Sequence, residues 1–267
     1  MILCTLAFTL KGQEPKHNKY LQMFWIWLRF LCKYGNLKPQ DKLFILIDKA
    51  SKEYLEEYGP YISLDVSYTF VEIPAPSTVR DGILERFQPW LYFPIEQDDV
   101  VCYIDVDMFI LKDIHWIQEI CQPNTFYAYP EEKMLGGNYL GEILTDRDHA
   151  FFSANPHIAE LHPGFSGTFY FFRGLFVKKA FQAIIDLTRA NTKYLYANEQ
   201  PFYNRVLFDT MYYTNEFSVC ILNKNLIEYN CIVADCDPQA KLLNFCGEPG
   251  NQELHWAKMF MALLADS

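Results

Sequence analysis

Short, almost unbroken apolar runs alternate with amphipathic stretches through the first half of the chain. Ile2 to Thr9 reads as a first strand, and Asn18 to Lys33 as a helix behind it. Lys42 to Ile47 (KLFILI) is a buried strand, followed by an amphipathic helix over Lys52 to Tyr58. Tyr68 to Ile73 is a third strand closed by Pro74 and Pro76; Ile83 to Phe93 is helical around Pro89, and Val100 to Ile104 is a fourth strand. Strands that are hydrophobic throughout and separated by helices predict a mostly parallel sheet covered on both faces, an α/β architecture. Such sheets bind ligands outside the carboxyl ends of their strands.

The second half is less regular. Thr125 to Tyr129 reads as a strand, and Glu131 to Pro163 as a long irregular stretch with a short helix near Leu140 to Leu144. Irregular stretches of that length inside a domain tend to carry function. Thr168 to Phe172 (TFYFF) is again a strand, and Phe176 to Arg189 an amphipathic helix. Glu199 to Phe208 is a short helix, Phe217 to Leu222 and Lys241 to Cys246 are strands, and Leu254 to Leu264 is a last helix. With no repeat, low-complexity tract or linker, residues 1–267 read as a single domain.

Composition narrows the function. A chain that is 51% hydrophobic and 17% aromatic folds. A net charge of −10 with no Lys/Arg-rich run argues against nucleic acid or an anionic membrane surface as the main partner. Of the eight cysteines, Cys4, Cys102, Cys220 and Cys246 lie in apolar strand-like runs and Cys32 in a hydrophobic helix. Free cysteine behaves as a small buried hydrophobe. No C-x-x-C pair and no N-x-S/T site occurs, which points to a reducing, cytoplasmic setting without structural zinc. Met1 to Leu10 lacks the basic start and cleavage site of a signal peptide. Met23 to Cys32 (MFWIWLRFLC) is too short for a membrane span, contains Arg29 and reads as a buried helix.

The fourth strand carries the candidate chemistry. Val100-Val101-Cys102-Tyr103-Ile104 leads into Asp105-Val106-Asp107, and Met108-Phe109-Ile110-Leu111 leads out. Two carboxylates interrupting an apolar segment are costly to desolvate unless a metal or hydrogen bonds compensate. Alternation along a strand would put Asp105 and Asp107 on one face, where both can approach one divalent cation. Hard cations such as Mg²⁺ take carboxylate oxygens and leave room for substrate phosphates. Asp235-Cys236-Asp237-Pro238 is a second acidic triplet, made turn-like by Pro238, and Asp146-Arg147-Asp148-His149 reads as a solvated loop with a minority role in an acceptor cleft.

These pieces, in this order, resemble the nucleotide-diphospho-sugar glycosyltransferases of the GT-A fold, most of all the retaining, family 8 or glycogenin-like group. The resemblance spans nearly the whole chain and is specific in a few blocks. Val101 to Met108 looks like the group's metal-binding strand end, and Arg86 stands where the family carries a basic residue for the nucleotide or its phosphates. His162-Pro163-Gly164-Phe165-Ser166-Gly167 is similar to the family's Asn-Ser-Gly turn at the donor sugar, with Phe165 in place of Asn. Asn198-Glu199-Gln200-Pro201 with Asn204 looks like the Asp-Gln block beside the reacting carbon, with Glu199 for Asp. Lys241 to Gly247, then Pro249-Gly250 and Lys258, resembles the last strand, His-x-x-Gly turn and diphosphate lysine; Asn244 stands at the position of the third metal ligand, and His255 lies nearby.

The resemblance implies a Rossmann-like GT-A domain that moves a hexose or pentose from a UDP-sugar to a carbohydrate or protein-linked glycan, with Mn²⁺ or Mg²⁺. In that picture Glu199 and Gln200 act at the reacting centre, and Asp105, Asp107 and Asn244, or His255, hold the metal. Thr5, Leu6, Ala7, Thr9, Arg86, Asp105, Val106, Ser166, Gly167, Gly247 and Lys258 contact the donor. Retention of configuration is the expectation from the Glu199-Gln200 block; inversion, or a pseudoenzyme that binds nucleotide sugars without transfer, are the alternatives. A homodimer stays open. The bland readings stand beside these: Arg86 and Lys258 as solvated helix charges, Glu199-Gln200 as a helix start, Ser166-Gly167 as a turn, and the first-strand residues as core. A sugar-phosphate nucleotidyltransferase fits less well, because no Gly-rich basic loop follows the first strand.

Overall fold

The structure, a computed structural model, describes residues 1–58, 67–134, 143–191, 199–229 and 237–245. The strands are β1 (Ile2–Ala7), β2 (Lys42–Asp48), β3 (Tyr68–Ile73), β4 (Val100–Ile104) and β5 (Met108–Ile110). They continue with β6 (Thr125–Met134), β7 (Pro163–Arg173), β8 (Ser218–Ile221), β9 (Ile227–Tyr229) and β10 (Leu242–Asn244). The helices are α1 (Lys19–Tyr34), α2 (Lys49–Tyr58), α3 (Val79–Leu84) and α4 (Trp116–Ile120), then α5 (Asp146–Ala154), α6 (Pro156–Leu161), α7 (Lys178–Ala190) and α8 (Gln200–Asp209). Seven strands form one mixed, mostly parallel sheet in the order β3-β2-β1-β4-β7-β6-β8, and β5-β10-β9 form a small second sheet. The chain divides into two compact units, one of Met1–Thr78, Cys102–Ile120 and Asn225–Ser267, the other of Val79–Val101 and Cys121–Lys224.

In the first unit β1, β2 and β3 run parallel, with Ile2 opposite Lys42 and Leu43 opposite Tyr68. Every residue of β1 is buried, as a strand covered on both faces requires. Helix α1 begins at Asn18, whose side chain accepts from Tyr20 N at 3.0 Å while its Nδ2 donates to Phe8 O at 2.7 Å and Thr9 Oγ1 at 3.0 Å. One residue thus satisfies an orphan helix N–H and ties the helix to the chain leaving β1. Leu21, Phe24, Leu28 and Leu31 recur at helical spacing on its buried face. Each such burial contributes about 1.5–3 kcal/mol before entropy is counted. The helix is amphipathic rather than buried all round: Lys33 is solvent-facing and Cys32 is exposed. No helix among the described residues is long and apolar enough to cross a membrane.

Asp48, 1% exposed, closes β2 by accepting from Thr9 N at 2.7 Å and Ser51 N at 3.1 Å. These bonds pin the chain leaving β1 against the first turn of α2, which starts at Lys49, earlier than the amphipathic pattern alone marks it.

The second unit is built on the antiparallel β6–β7 pair, whose register shifts between Ala128 and Tyr129 and again between Pro130 and Met134. Its core is aromatic: Phe181 of α7 packs on Phe87 (5.2 Å), Tyr170 (5.5 Å), Phe172 (5.6 Å) and Phe126 (5.8 Å). Much of the aromatic excess is therefore interior.

Four sequence readings change. Ile83 to Phe93 is not one helix: α3 stops at Leu84 and gives way to two single 3₁₀ turns, Glu85–Phe87 and Pro89–Leu91, because Pro89 disfavours helix at Gln88. Asp146 to His149 is not a solvated loop but the first turn of α5, and Asp148 is 0% exposed. The short helix expected near Leu140 to Leu144 is not seen at Ile143 and Leu144, while its first three residues lie outside the described ones. Cys220, expected in a buried run, is exposed, because β8 is the sheet's last strand. All five described cysteines are free: Cys4, Cys32, Cys102, Cys121 and Cys220.

Candidate functional site

In the first unit β4 ends at Ile104, and Asp105-Val106-Asp107 forms a turn closed by Met108 N donating to Asp105 O at 3.0 Å. The strand-alternation argument for the two carboxylates therefore fails locally: Asp107 lies in a turn, not on the strand. Tyr20, half exposed, lies near both: its phenol is pushed up to about 12, first by partial burial and then by the charges of Asp107 and Asp105. Asp105 also accepts from the hydroxyl of Tyr103 two residues earlier. Val106, 3% exposed, is the apolar peg between two partly exposed acids.

Asn244 ends β10 directly opposite Met108, and Phe245 N donates to Asp107 O at 2.9 Å. A residue 137 positions away in sequence from Asp107 is thus one ladder step from the acidic turn. Asn244 is 3% exposed, and its Oδ1 has no hydrogen-bond partner among the described residues. A buried amide oxygen left so costs about 1–3 kcal/mol, which a cation would offset. No group of three or more His, Cys, Asp or Glu is placed to hold a metal among the described residues. If a cation were held here, two carboxylates and one amide oxygen would offer it the all-oxygen environment that Mg²⁺ or Mn²⁺ takes. Gly247, His255, Lys258, Asn198 and Asp235 lie outside the described residues.

The expected base-pocket residues are core of the first unit. Thr5, Leu6, Ala7 and Thr9 are all buried, and Thr9 Oγ1 accepts from Ser51 at 2.9 Å. Thr5 Oγ1 has no hydrogen-bond partner among the described residues.

The second unit gathers another group. Arg86 lies in the 3₁₀ turn after α3, and Glu199 is the residue before α8; both are 5% exposed, and Arg86 Nη2 is ion-paired to Glu199 Oε1. Arg86 is therefore no solvated charge. Its backbone oxygen accepts from Tyr170 Oη at 2.8 Å, and its guanidinium lies 5.1 Å from the Phe87 ring centroid. Gly167 lies against the pair: a Cβ there would collide with Arg86 Nη2. Asn204, fully buried, binds the strand before that glycine, accepting from Phe165 N at 2.6 Å and donating to Phe165 O and Gln200 O at 2.9 Å each. Gln200 Nε2 reaches Phe165 O at 3.4 Å, and Ser166 Oγ is 2.8 Å from Thr168 Oγ1.

Sequence reasoning missed Tyr20 and Tyr203. Tyr20 carries a signal in retrospect, two residues after the capping Asn18 and at a helix start beside the end of β1. Tyr203 lies one helical turn after Glu199, and its N donates to Glu199 O at 2.9 Å.

The sheet order, the acidic turn after the central strand and the flanking helices define an α/β fold of the GT-A type. Among solved structures the fold is similar to that of apo mouse xyloside xylosyltransferase 1, with a TM-score of 0.57 over 93% of this chain and 98% of that one. At 10% identity the likeness is one of fold. No protein-family model and no curated protein sequence matches this chain.

Proposed function

We propose that this chain is a metal-dependent glycosyltransferase that moves a sugar from a UDP-sugar to an acceptor hydroxyl on a carbohydrate or a protein-linked glycan, with retention. The observation that supports it most is the acidic turn at Asp105–Asp107 with the partnerless Asn244 Oδ1 one ladder step away, in a fold shared with a xylosyltransferase. Asp105, Asp107 and Asn244 would hold Mn²⁺ or Mg²⁺. When bound, such an ion stabilises the negative charge that builds on a leaving diphosphate.

The chain's own residues supply the rest of the chemistry. Tyr103 orients Asp105 by hydrogen bonding, leaving Asp107 as the stronger ligand. Glu199, ion-paired with Arg86, would place its carboxylate at an oxocarbenium-like centre. Gln200 offers an amide for the acceptor or the donor sugar.

A panel of UDP-sugars including UDP-xylose and UDP-glucose, incubated with Mn²⁺ and simple glycosides, tests the reading. Turnover is expected with one donor and none in EDTA; no hydrolysis or transfer with any donor would sink it. The buried Arg86–Glu199 pair favours one second reading, a nucleotide-sugar binding protein whose glutamate is already neutralised. Tight UDP-sugar binding without turnover would select it. Proton NMR of the product's anomeric signal separates retention from inversion.

A further inference from the structure

The Tyr203 hydroxyl is a buried polar group one helical turn from Glu199 that the proposed chemistry does not use. The residue is 0% exposed, and its Oη has no hydrogen-bond partner among the described residues. Its ring is held by Phe87 at 5.7 Å, Phe126 at 6.3 Å and Tyr170 at 6.4 Å, so it cannot swing out to water. It lies one helical turn beyond Glu199 at i+4, the spacing that stacks two residues on one helix face. Burial pushes the phenol up, with the Arg86 charge opposing and the Glu199 charge reinforcing that shift, so the hydroxyl is coupled to both members of the pair.

A fully buried hydroxyl without a bond is destabilising, and replacing it with hydrogen is ordinarily neutral or favourable. Its retention beside a carboxylate already satisfied by arginine has an explanation if the arginine does not always stay there. A guanidinium that turns to an anion leaves Glu199 as an uncompensated buried charge, which is strongly unfavourable unless a donor replaces it. A phenol O–H is such a donor, and a charge-assisted bond to a carboxylate is among the stronger hydrogen bonds. We propose that Tyr203 is a positioning residue that donates its hydroxyl to the Glu199 carboxylate when Arg86 turns to a diphosphate. No covalent bond is made or broken: Arg86 exchanges one anion for another, and the Glu199 carboxylate keeps a donor and its alignment. The inference rests on the nucleotide-sugar reading for the identity of the anion.

The test compares the full chain with Tyr203→Phe, using inorganic pyrophosphate in EDTA as the probe and calorimetry for affinity. In the absence of anion the variant is expected to melt at the same temperature as the wild type or higher. Its pyrophosphate affinity is expected to be weaker by about tenfold, the value of one hydrogen bond to a charged group. A structural role for the hydroxyl would instead lower the melting temperature without anion and leave the affinity alone. Equal affinities, a lowered melting temperature with unchanged affinity, or no pyrophosphate binding by the wild type would each overturn the proposal. Donor turnover by the wild type, measured separately, reports on the glycosyltransferase reading by itself.

Discussion

At the residue scale the metal proposal depends on three side chains whose contributions separate by charge. Asp107→Ala removes a full negative charge and is expected to abolish Mn²⁺-dependent turnover and weaken Mn²⁺ binding at least tenfold; unchanged manganese titration would remove Asp107 from the site. Asn244 gives a sharper test, because its Oδ1 is buried without a hydrogen-bond partner among the described residues. Asn244→Asp keeps the shape and adds a charge. It is expected to tighten Mn²⁺ binding by about tenfold, since opposite charges attract strongly at a buried site, while lowering stability in EDTA, where the new carboxylate has no cation. If it destabilises equally with and without Mn²⁺, Asn244 is a core residue and not a ligand. The acidic triplet was legible from sequence because it interrupts an apolar run. The pairing of Arg86 with Glu199 was not, because 113 residues separate them and only the folded second unit shows that each is the other's counter-ion.

At the element scale the most instructive case is α5. The pattern Thr145-x-x-Asp148 is a capping-box signature that was present in the sequence, but its acidic and basic neighbours made the run look solvated. In the structure Thr145 N and Oγ1 donate to Asp148 Oδ2 at 2.7 and 2.6 Å, and Asp148 N donates back to Thr145 Oγ1 at 3.4 Å. Asp148 also receives Arg205 of α8 and Tyr213 Oη, the latter at 2.9 Å, so one carboxylate joins three segments of the second unit. Thr145→Ala is expected to cost about 1 kcal/mol by urea denaturation. Asp148→Ala is expected to cost about 1–3 kcal/mol, because it removes the buried acceptor of Arg205 while Asp209 still pairs with that arginine. Burial pushes the Asp148 carboxyl up, and Arg205, Thr145 and Tyr213 more than reverse this, holding it well below the usual range. A depressed folded pKa contributes stability that is fully present above the unfolded value, near 4, and is lost as pH falls from there toward the folded value. The wild type should therefore lose stability faster than Asp148→Asn between about pH 4 and pH 2. Parallel acid limbs would show that the carboxylate carries no linkage.

At the scale of the whole molecule, the α/β class and the succession of strands and helices were readable because buried strands are apolar throughout and α1 and α7 carry a clear helical stripe. The β5-β10-β9 sheet was not readable as a sheet: its strands are three residues each, too short to show a period, and their partners are distant in sequence. Yet that small sheet brings Asn244 to the acidic turn, so the least legible part of the fold completes the candidate site. Net charge bears on how such a site is used. A protein of charge −10 repels a nucleotide diphosphate at long range, and salt screens that repulsion over roughly 8–10 Å at 0.10–0.15 M ionic strength. In EDTA, UDP affinity is therefore expected to rise as salt increases from about 0.01 to 0.15 M, the reverse of a basic nucleotide-binding protein. With Mn²⁺ held at the acidic turn the local charge is offset, and the same titration should flatten or change sign. Calorimetric titration of UDP across that salt range, with and without Mn²⁺, checks both arms; UDP affinity that falls with salt in EDTA would mean that local basic groups such as Arg86 outweigh the field of the whole chain.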